Sequence, residues 1–374
     1  MMIHHDFWWR FFPRKELTQL YISMALRSFA LSLIAIFIPL YLLQEKNFSL
    51  EQVLLFFVFY SIIFAIATPL AAAFASRFGL KHAVLVSIPF YVLFMVLLYF
   101  LSSIPILILL SGSLLGTSHA FYWMGIHLVF QQASHVKHRG EEMGVRSSVT
   151  VVATMLGPLL GGILITTFGF GLTFGVAALV LGISAVVLFQ SQERYTHYSF
   201  SLRSIFDKSH WQDSIFFVSR GSHVIVQSVL WPLFVFFILQ SYFSLGIIGS
   251  LMSLTSVVLL WLVGRYSDHK DKKMIIRWTS VLESIVFFFQ SMVNNVVQIV
   301  VVTIFFSVIG AVREAPLGAL EYDKARGQIA GYFVSREISI CLGRILVLTI
   351  VLVTQSISGG ILFQAAANFA VFLF

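Results

Sequence analysis

Charged residues are scarce in this chain. Only 11% of its 374 residues are Asp, Glu, Lys or Arg, whereas 59% are hydrophobic and the mean hydropathy is +0.92. Soluble domains carry roughly 25% charged residues, and a water-soluble fold would leave this many apolar side chains in large exposed patches. The composition therefore excludes a soluble globular protein and indicates a chain that resides in lipid.

The motifs of common enzyme and metal sites are missing as well. The sequence has no GxxxxGK(S/T) phosphate loop, no CxxC or HExxH cluster and no recognisable Ser or Cys hydrolase constellation. ATP hydrolysis, a metal site, a cofactor and enzymatic activity are therefore not expected. The single cysteine, Cys341, lies inside an apolar run and cannot form an intrachain disulfide.

What the chain does have is a succession of long apolar runs. A helix needs roughly 20 apolar residues to cross a hydrocarbon core about 30 Å thick, and only a helix or a closed barrel satisfies its backbone polar groups in lipid. Runs of this length are too long for barrel strands. The sequence therefore predicts an all-α membrane protein with twelve transmembrane helices, at residues 17–43, 51–75, 82–101, 104–132, 143–168, 170–190, 213–240, 244–264, 274–292, 297–321, 328–354 and 357–374.

Lys and Arg residues are distributed unevenly between the predicted helices. They crowd alternate loops, in the segments RFFPRK, SRFGLK, KHR, GRYSDHKDKK and KAR and in residues 191–212, whereas the opposite loops carry only Lys46. By the positive-inside rule, the basic loops and both termini are predicted to be cytoplasmic. The protein is predicted to be a multi-pass protein of the cell (inner) membrane. The net charge of +8 then reflects topology, and no nucleic-acid partner is expected.

The predicted helices fall into two sets of six. The polar stretch at residues 191–212, the longest loop, follows the sixth helix and is predicted to be a cytoplasmic linker. It separates an N-terminal six-helix bundle at residues 17–190 from a C-terminal one at residues 213–374. Residues 1–16 are aromatic and basic, without a small-residue cleavage site, and are expected to form a cytoplasmic interfacial segment. A disordered tail is the alternative for this segment.

Polar residues recur at matching places in the two halves. Arg27 precedes Pro39 by twelve residues, and Arg220 precedes Pro232 by twelve residues. The turn K-x-R-G-x-x-x-G also occurs twice, before the fifth and the eleventh helix. Apolar residues match readily by chance in such a chain, but these polar residues at equivalent boundaries do not. We infer an internal duplication, in which a pseudo-two-fold axis along the membrane normal relates the two bundles.

Three motifs resemble the major facilitator superfamily. Between helices 2 and 3 that family carries G-x-L-A-D-R-x-G-R-K, and residues 72–81 read AAFASRFGLK, with Ser76 in place of the acidic residue. Residues 264–273, between helices 8 and 9, read GRYSDHKDKK, and residues 157–162 of helix 5 read GPLLGG, similar to the family's GPxxGG. The resemblance covers nearly the full length. It implies a secondary active transporter in which two bundles rock about one central site.

The resemblance also assigns gating roles. In the family, an acidic residue after helix 8 helps to latch the cytoplasmic side. Asp268 matches that residue, and its predicted partner is the positive N-terminal end of helix 5, near Arg139 or Arg146. Because Ser76 replaces the first acidic residue, the matching latch in the first half is expected to be weaker. The predicted gating residues are Arg77, Gly79, Lys81, Asp268, Lys273, Arg139, Arg146, Gly157 and Pro158.

Six arginines fall within the predicted helices, namely Arg27, Arg146, Arg220, Arg313, Arg336 and Arg344. A charge at mid-bilayer costs at least about 2.5–3.5 kcal/mol, so these side chains should face the bundle interior, an aqueous cavity or one another. Helical spacing places Arg220, His223 and Gln227 on one face and predicts a similar polar face on helix 4. The resemblance places helices 1, 4, 7 and 10 around the central cavity. The predicted substrate-binding residues are Arg27, His119, Trp123, His127, Arg220, His223, Gln227, Arg313, Glu314, Glu337 and Arg344.

An excess of buried Arg over Glu favours an anionic ligand, because guanidinium groups bind carboxylate or phosphate with two hydrogen bonds. We therefore predict a small-molecule substrate, either an organic anion or an amphiphile with an anionic head, carried by a monomer. Proton coupling through Glu314, Glu337 or His119 is a further prediction. Three alternatives stay open. Arg27 and Arg220 could be structural residues that reach the cytoplasmic surface, the protein could be a lipid or lysolipid flippase, or it could be a transport-inactive membrane sensor or scaffold.

Overall fold

The computed structural model describes residues 15–101, 105–133, 139–190, 211–267, 271–325 and 329–374. Throughout these ranges the regular secondary structure is helical, with no strand. Each of the twelve predicted transmembrane segments coincides with helical residues, so the prediction of an all-α protein is confirmed.

The main helices are α1 (Lys15–Ser32), α2 (Leu50–Phe78), α3 (Leu80–Tyr99), α4 (Pro105–Ala133), α5 (Arg139–Met155), α6 (Gly157–Phe189), α7 (Trp211–Ile225), α8 (Tyr242–Ser267), α9 (Lys272–Gln290), α10 (Val296–Lys324), α11 (Ile329–Thr354) and α12 (Ile357–Ala367). Shorter helical segments continue α1 (Ala35–Phe37, Ile38–Leu40 and Tyr41–Glu45), α7 (Val226–Leu230 and Trp231–Leu239) and α12 (Asn368–Leu373).

Seven segments of the described chain are both long and apolar enough to cross a membrane, among them Tyr21–Glu45, Leu50–Phe78 and Ile329–Thr354. Their outward side chains are largely apolar; Leu70 of α2 and Val353 of α11, for example, are exposed. Buried charged residues lie inside the bundle. An apolar exterior around a partly polar interior is the arrangement that a hydrocarbon surrounding requires.

The first and seventh transmembrane segments are interrupted helices, although the sequence predicts a continuous helix in each place. Pro39 and Pro232 both lie in the first turn of a helical segment that follows the interruption, where the missing N–H of proline is tolerated. Gly169 interrupts α6 with a φ of +79° and divides the fifth predicted helix from the sixth. A residue with a side chain is strained at such a φ, which explains the glycine at this boundary.

The first half (residues 15–190) and the second half (residues 211–374) meet along two sets of helices. α2 packs against α11, and α5 and α6 pack against α8. The second contact depends on small residues, because a Cβ atom added to Gly246 would lie 2.5 Å from the carbonyl oxygen of Pro158. Close backbone approach of this kind favours helix association in lipid. We call the end where α2 and α4 finish, and where α3, α5, α7, α9 and α11 begin, the basic end; it is the end predicted to be cytoplasmic.

Reciprocal glycines lie where α7 and α11 cross in the second half. A Cβ atom on Gly221 would lie 1.9 Å from the carbonyl oxygen of Ile340, and one on Gly343 would lie 1.8 Å from that of Val218. We expect Gly343→Ala to lower the free energy of unfolding by about 1–3 kcal/mol, as overpacking does, and so to lower the melting temperature in detergent. Gly175→Ala is the control, because nothing lies within 4 Å of a Cβ atom there. Equal melting temperatures for the two variants would contradict this packing.

Candidate functional site

Arg344 of α11 lies where the two halves meet and is 6% exposed. Its Nη1 donates a hydrogen bond to the hydroxyl of Tyr60 on α2 at 3.1 Å, and that hydroxyl lies 2.7 Å from Nδ1 of His119 on α4. The guanidinium also lies 5.0 Å from the ring centroid of Phe64. We call Arg344, Tyr60 and His119 the central cluster. Because both halves contribute to it, a movement of one half against the other changes its geometry.

Arg27 of α1 lies deeper in the first half and is 2% exposed. Its Nη1 donates to Ser87 Oγ at 3.1 Å, and its guanidinium lies 4.0 Å from the ring centroid of Tyr122 and 5.8 Å from that of Tyr91. The ring of Tyr91 in turn lies 6.0 Å from the ring of His119, centroid to centroid. Arg27 is therefore connected to the central cluster through one aromatic ring.

Neither of these buried arginines forms an ion pair with an acid in the described ranges. Neither Arg27 nor Arg344 has a carboxylate oxygen within 4.0 Å in the described part of the chain. Nε and Nη2 of Arg27 and Nε of Arg344 also have no hydrogen-bond partner there. Glu337 interacts with Arg344 electrostatically from beyond this distance. A buried cation without a directly paired acid is costly, and two such cations make the surrounding interior attractive to an anion.

The second half contains a contrasting set of buried charges that neutralise one another. Arg313 of α10 pairs with Glu283 of α9, and Arg220 of α7 pairs with Glu314 of α10. His223 lies between the pairs, with Nε2 3.1 Å from Glu283 Oε1 and Nδ1 3.2 Å from Arg220 Nη1. We call these five residues the ion-pair cluster. The two guanidinium groups and two carboxylates balance in charge.

The two acids of the ion-pair cluster differ in their access to solvent. The side chain of Glu283 is fully buried, whereas that of Glu314 is 38% exposed. Gln227, one turn beyond His223 on the same helix, donates from Nε2 to Gln290 Oε1 at 3.0 Å. The ion pairs thus satisfy most of the polar face that the sequence predicts on helix 7.

A third cluster joins the two halves near the basic end. Nδ1 of His127 on α4 lies 2.7 Å from the hydroxyl of Tyr322 on α10, and its Nε2 lies 3.2 Å from Glu337 Oε1 on α11. Arg146 of α5 donates to the same Tyr322 hydroxyl at 2.8 Å, and Arg336 pairs with Glu337. We call His127, Arg146, Tyr322, Arg336 and Glu337 the latch cluster. Its hydrogen bonds tie α4 and α5 of the first half to α10 and α11 of the second.

The structure thus distributes the predicted substrate-binding residues over three clusters. Arg27, His119 and Arg344 lie in or next to the central cluster, whereas His127 and Glu337 lie in the latch cluster. Trp123 stacks on the ring of His127 at 5.6 Å and so lies between these two regions. The remaining predicted residues belong to or adjoin the ion-pair cluster, namely Arg220, His223, Gln227, Arg313 and Glu314.

The predicted gating residues occupy the helix ends that the motifs suggest. Gly79 joins α2 to α3 with a φ of +106°, and Arg77, two residues earlier, is exposed. Gly157 begins α6 so close to α1 that an added Cβ atom would lie 1.7 Å from Ser32 Oγ. Lys81 lies in the first turn of α3, and Lys273, which is exposed, lies in that of α9. Asp268 and the side chain of Arg139 lie outside the residues that the structure describes.

Sequence reasoning missed the tyrosines of these sites. Tyr60, Tyr91, Tyr122 and Tyr322 each contact a buried Arg or His. In an apolar helix, a tyrosine that faces lipid and one that faces a guanidinium look alike, and only the packing of neighbouring helices distinguishes them. The sequence signal for Tyr122 was its position, because it directly precedes Trp123, a predicted substrate-binding residue.

Comparison with known proteins adds evidence of relationship. The sequence model of the Major Facilitator Superfamily matches residues 20–346. Multidrug resistance protein MdtG of Proteus mirabilis (strain HI4320) is 35% identical over 170 residues, which are 44% of this chain and 42% of that protein. Uncharacterized protein YqgE of Bacillus subtilis (strain 168) is 24% identical over 179 residues, 44% of this chain and 41% of that protein. These matches span less than half of each relative.

A solved structure resembles the fold over nearly its whole length. The crystal structure of the human organic anion transporter MFSD10 (TETRAN) aligns with a TM-score of 0.73, covering 96% of this chain and 99% of that chain. The two sequences are only 13% identical, so this likeness concerns the fold alone.

Proposed function

Because the chain belongs to the Major Facilitator Superfamily, we propose that it is a secondary active transporter that carries a small organic anion across the membrane by alternating access. The observation that supports this proposal is the presence of two buried arginines, Arg27 and Arg344, without a carboxylate partner in the described chain. An anionic substrate would supply the missing counter-charge.

The position of the central cluster suits alternating access. Arg344 belongs to the second half, while Tyr60 and His119 belong to the first. A bound anion would therefore contact both halves at once, and rocking of the halves would expose it to one side and then to the other. The guanidinium fork fits carboxylate geometry, and tyrosine hydroxyls nearby can donate further hydrogen bonds.

The proposal is tested by flux. We expect purified protein in proteoliposomes to take up at least one of benzoate, succinate and glycerol 3-phosphate. Arg344→Gln should slow the initial rate by about tenfold or more, because a hydrogen bond to a charged group contributes about 1.5–3 kcal/mol. Lys46→Gln removes a cation near the opposite end and should leave the rate unchanged. Uptake of none of the three anions, or equal rates for both variants, would contradict the proposal.

The same vesicles address coupling and the alternative functions. We propose that Glu314, the partly exposed acid beside Arg220, carries a coupled proton. If collapsing the pH gradient leaves the uptake rate unchanged, Glu314 does not have this role.

Movement of a fluorescent lysolipid without anion uptake would favour the flippase, and no flux of either kind would favour a sensor or scaffold. We further propose a monomer in the cell membrane with its basic end in the cytoplasm.

A further inference from the structure

Equivalent positions in the two halves carry different chemistry. The helices α4 and α10 both have 29 residues, and Trp123 occupies the same place in the first as Glu314 does in the second, counted from the helix start. By the same count, Tyr122 corresponds to Arg313. In α3 and α9, Tyr91 and Glu283 are both the twelfth residue.

The arginines themselves also correspond. Arg27 and Arg220 lie at the same distance before their prolines, and each meets the equivalent helices of its own half. Arg220 pairs with Glu314 of α10, next to Glu283 of α9, whereas Arg27 meets Tyr122 of α4 and Tyr91 of α3. Both halves thus place this arginine against the same two helices, but where the second half has Glu283 and Glu314 the first half has Tyr91 and Trp123.

The aromatic replacements do not satisfy Arg27. A ring face attracts a guanidinium that lies over it, yet it does not accept the in-plane N–H groups that a carboxylate accepts in pairs. Nε and Nη2 of Arg27 have no acceptor in the described residues. These are two of the nitrogens that form a fork for a carboxylate. Two guanidinium nitrogens of Arg27 therefore have no acceptor among the described residues, and one carboxylate would satisfy both.

We propose that the carboxylate of the substrate binds Arg27 in the place that a glutamate fills in the second half, and that the substrate is an aromatic or similarly planar monocarboxylate. The planar shape of the substrate is inferred from the aromatic rings around Arg27. Tyr122 and Trp123 are partly exposed, and Tyr91 leads to His119 of the central cluster. The inference rests on the proposed anion transport and adds the substrate class and the subsite.

The test places an acid beside Arg27 at the position that corresponds to Glu283. Tyr91→Glu should neutralise Arg27 internally, and Tyr91→Gln is the matched uncharged control. Melting temperatures in detergent are measured with benzoate, with neutral benzyl alcohol and with cationic benzylamine. We expect benzoate alone to raise the melting temperature of the wild type, because a ligand that binds the folded state stabilises it. Tyr91→Gln should keep a smaller benzoate shift, because Arg27 still has no acid beside it while one ring contact is lost. In Tyr91→Glu the benzoate shift should vanish, while the ligand-free protein should melt higher than Tyr91→Gln.

Other outcomes overturn the inference in identifiable ways. Equal benzoate shifts in Tyr91→Glu and the wild type would place the carboxylate elsewhere, and equal shifts with benzyl alcohol would show that charge is not recognised. The absence of any benzoate shift in the wild type would overturn the substrate class. If Tyr91→Glu does not fold, Trp123→Glu introduces the other missing acid and serves instead.

The failure of this inference can be told from the failure of the proposed function. If Arg344→Gln slows anion uptake and Tyr91→Glu does not, the transport proposal is supported and the Arg27 subsite is contradicted. If Tyr91→Glu abolishes benzoate binding but the protein shows no flux, the Arg27 subsite is supported and the transport proposal is contradicted.

Discussion

Replacement of Glu283 by Gln is expected to destabilise the folded protein by about 3–5 kcal/mol, the cost of breaking a buried ion pair. Glu283 is fully buried and receives contacts from Arg313, His223 and Asn368. Without its charge, Arg313 stays buried with the partly exposed Glu314 as its remaining acid, 3.9 Å away. The melting temperature in detergent, or the denaturant needed for half unfolding, measures the loss.

A matched variant in the same cluster separates burial from charge. Glu314→Gln removes an identical group, but its side chain is 38% exposed, so solvent screens its pairing and we expect a loss below about 1 kcal/mol. Adding Arg313→Met to Glu283→Gln should recover part of the stability, because replacing both members of a buried pair is often near neutral. Equal losses for the two glutamate variants would show that the burial of Glu283 does not strengthen its ion pair.

The helices of this protein could be predicted from sequence because hydrocarbon imposes one strong rule. Runs of about 20 apolar residues have few alternatives to a transmembrane helix, and all twelve predicted positions are helical in the structure. The interruption after α1 was not predicted, because Pro39 is compatible with the start of a helical turn as well as with a continuous apolar run. Composition therefore predicts where a helix crosses the membrane better than it predicts where that helix is interrupted.

The contacts of the charged residues could be predicted only in part. Four of the six arginines are buried and the side chains of Arg220 and Arg336 are only 13% exposed, as the cost of a charge in the membrane predicts. Their partners depend on which helices are neighbours. Arg313 and Glu314 are adjacent in sequence, so their side chains leave the helix in different directions, and each reaches a different member of one cluster, Glu283 and Arg220. Glu337, seven residues before Arg344 on the same helix, contacts His127 of the other half.

His127→Leu is expected to open the basic end of the bundle. His127 makes two of the polar contacts across the halves, to Tyr322 at 2.7 Å and to Glu337 at 3.2 Å. The contact with the charged Glu337 alone contributes about 1.5–3 kcal/mol. Losing them should shift the population of open molecules at least tenfold. Cys341 reports the shift, since it is the only cysteine, is fully buried and lies one turn beyond Glu337 on α11.

A charged, membrane-impermeant thiol reagent applied to membrane vesicles from the side of the basic end should therefore label Cys341 at least tenfold faster in His127→Leu than in the wild type. Phe130→Leu is the matched control, because Phe130 lies on the same helix and its ring contacts the ring of Tyr322 at 4.8 Å and the guanidinium of Arg146 at 4.9 Å without a hydrogen bond. Cys341→Ser should abolish labelling. If His127→Leu speeds labelling equally from both sides, the variant has loosened the whole bundle; if the rate does not change, hydrogen bonds of the latch cluster do not hold this end closed. A rise confined to the basic end is the result that a gate between the halves requires.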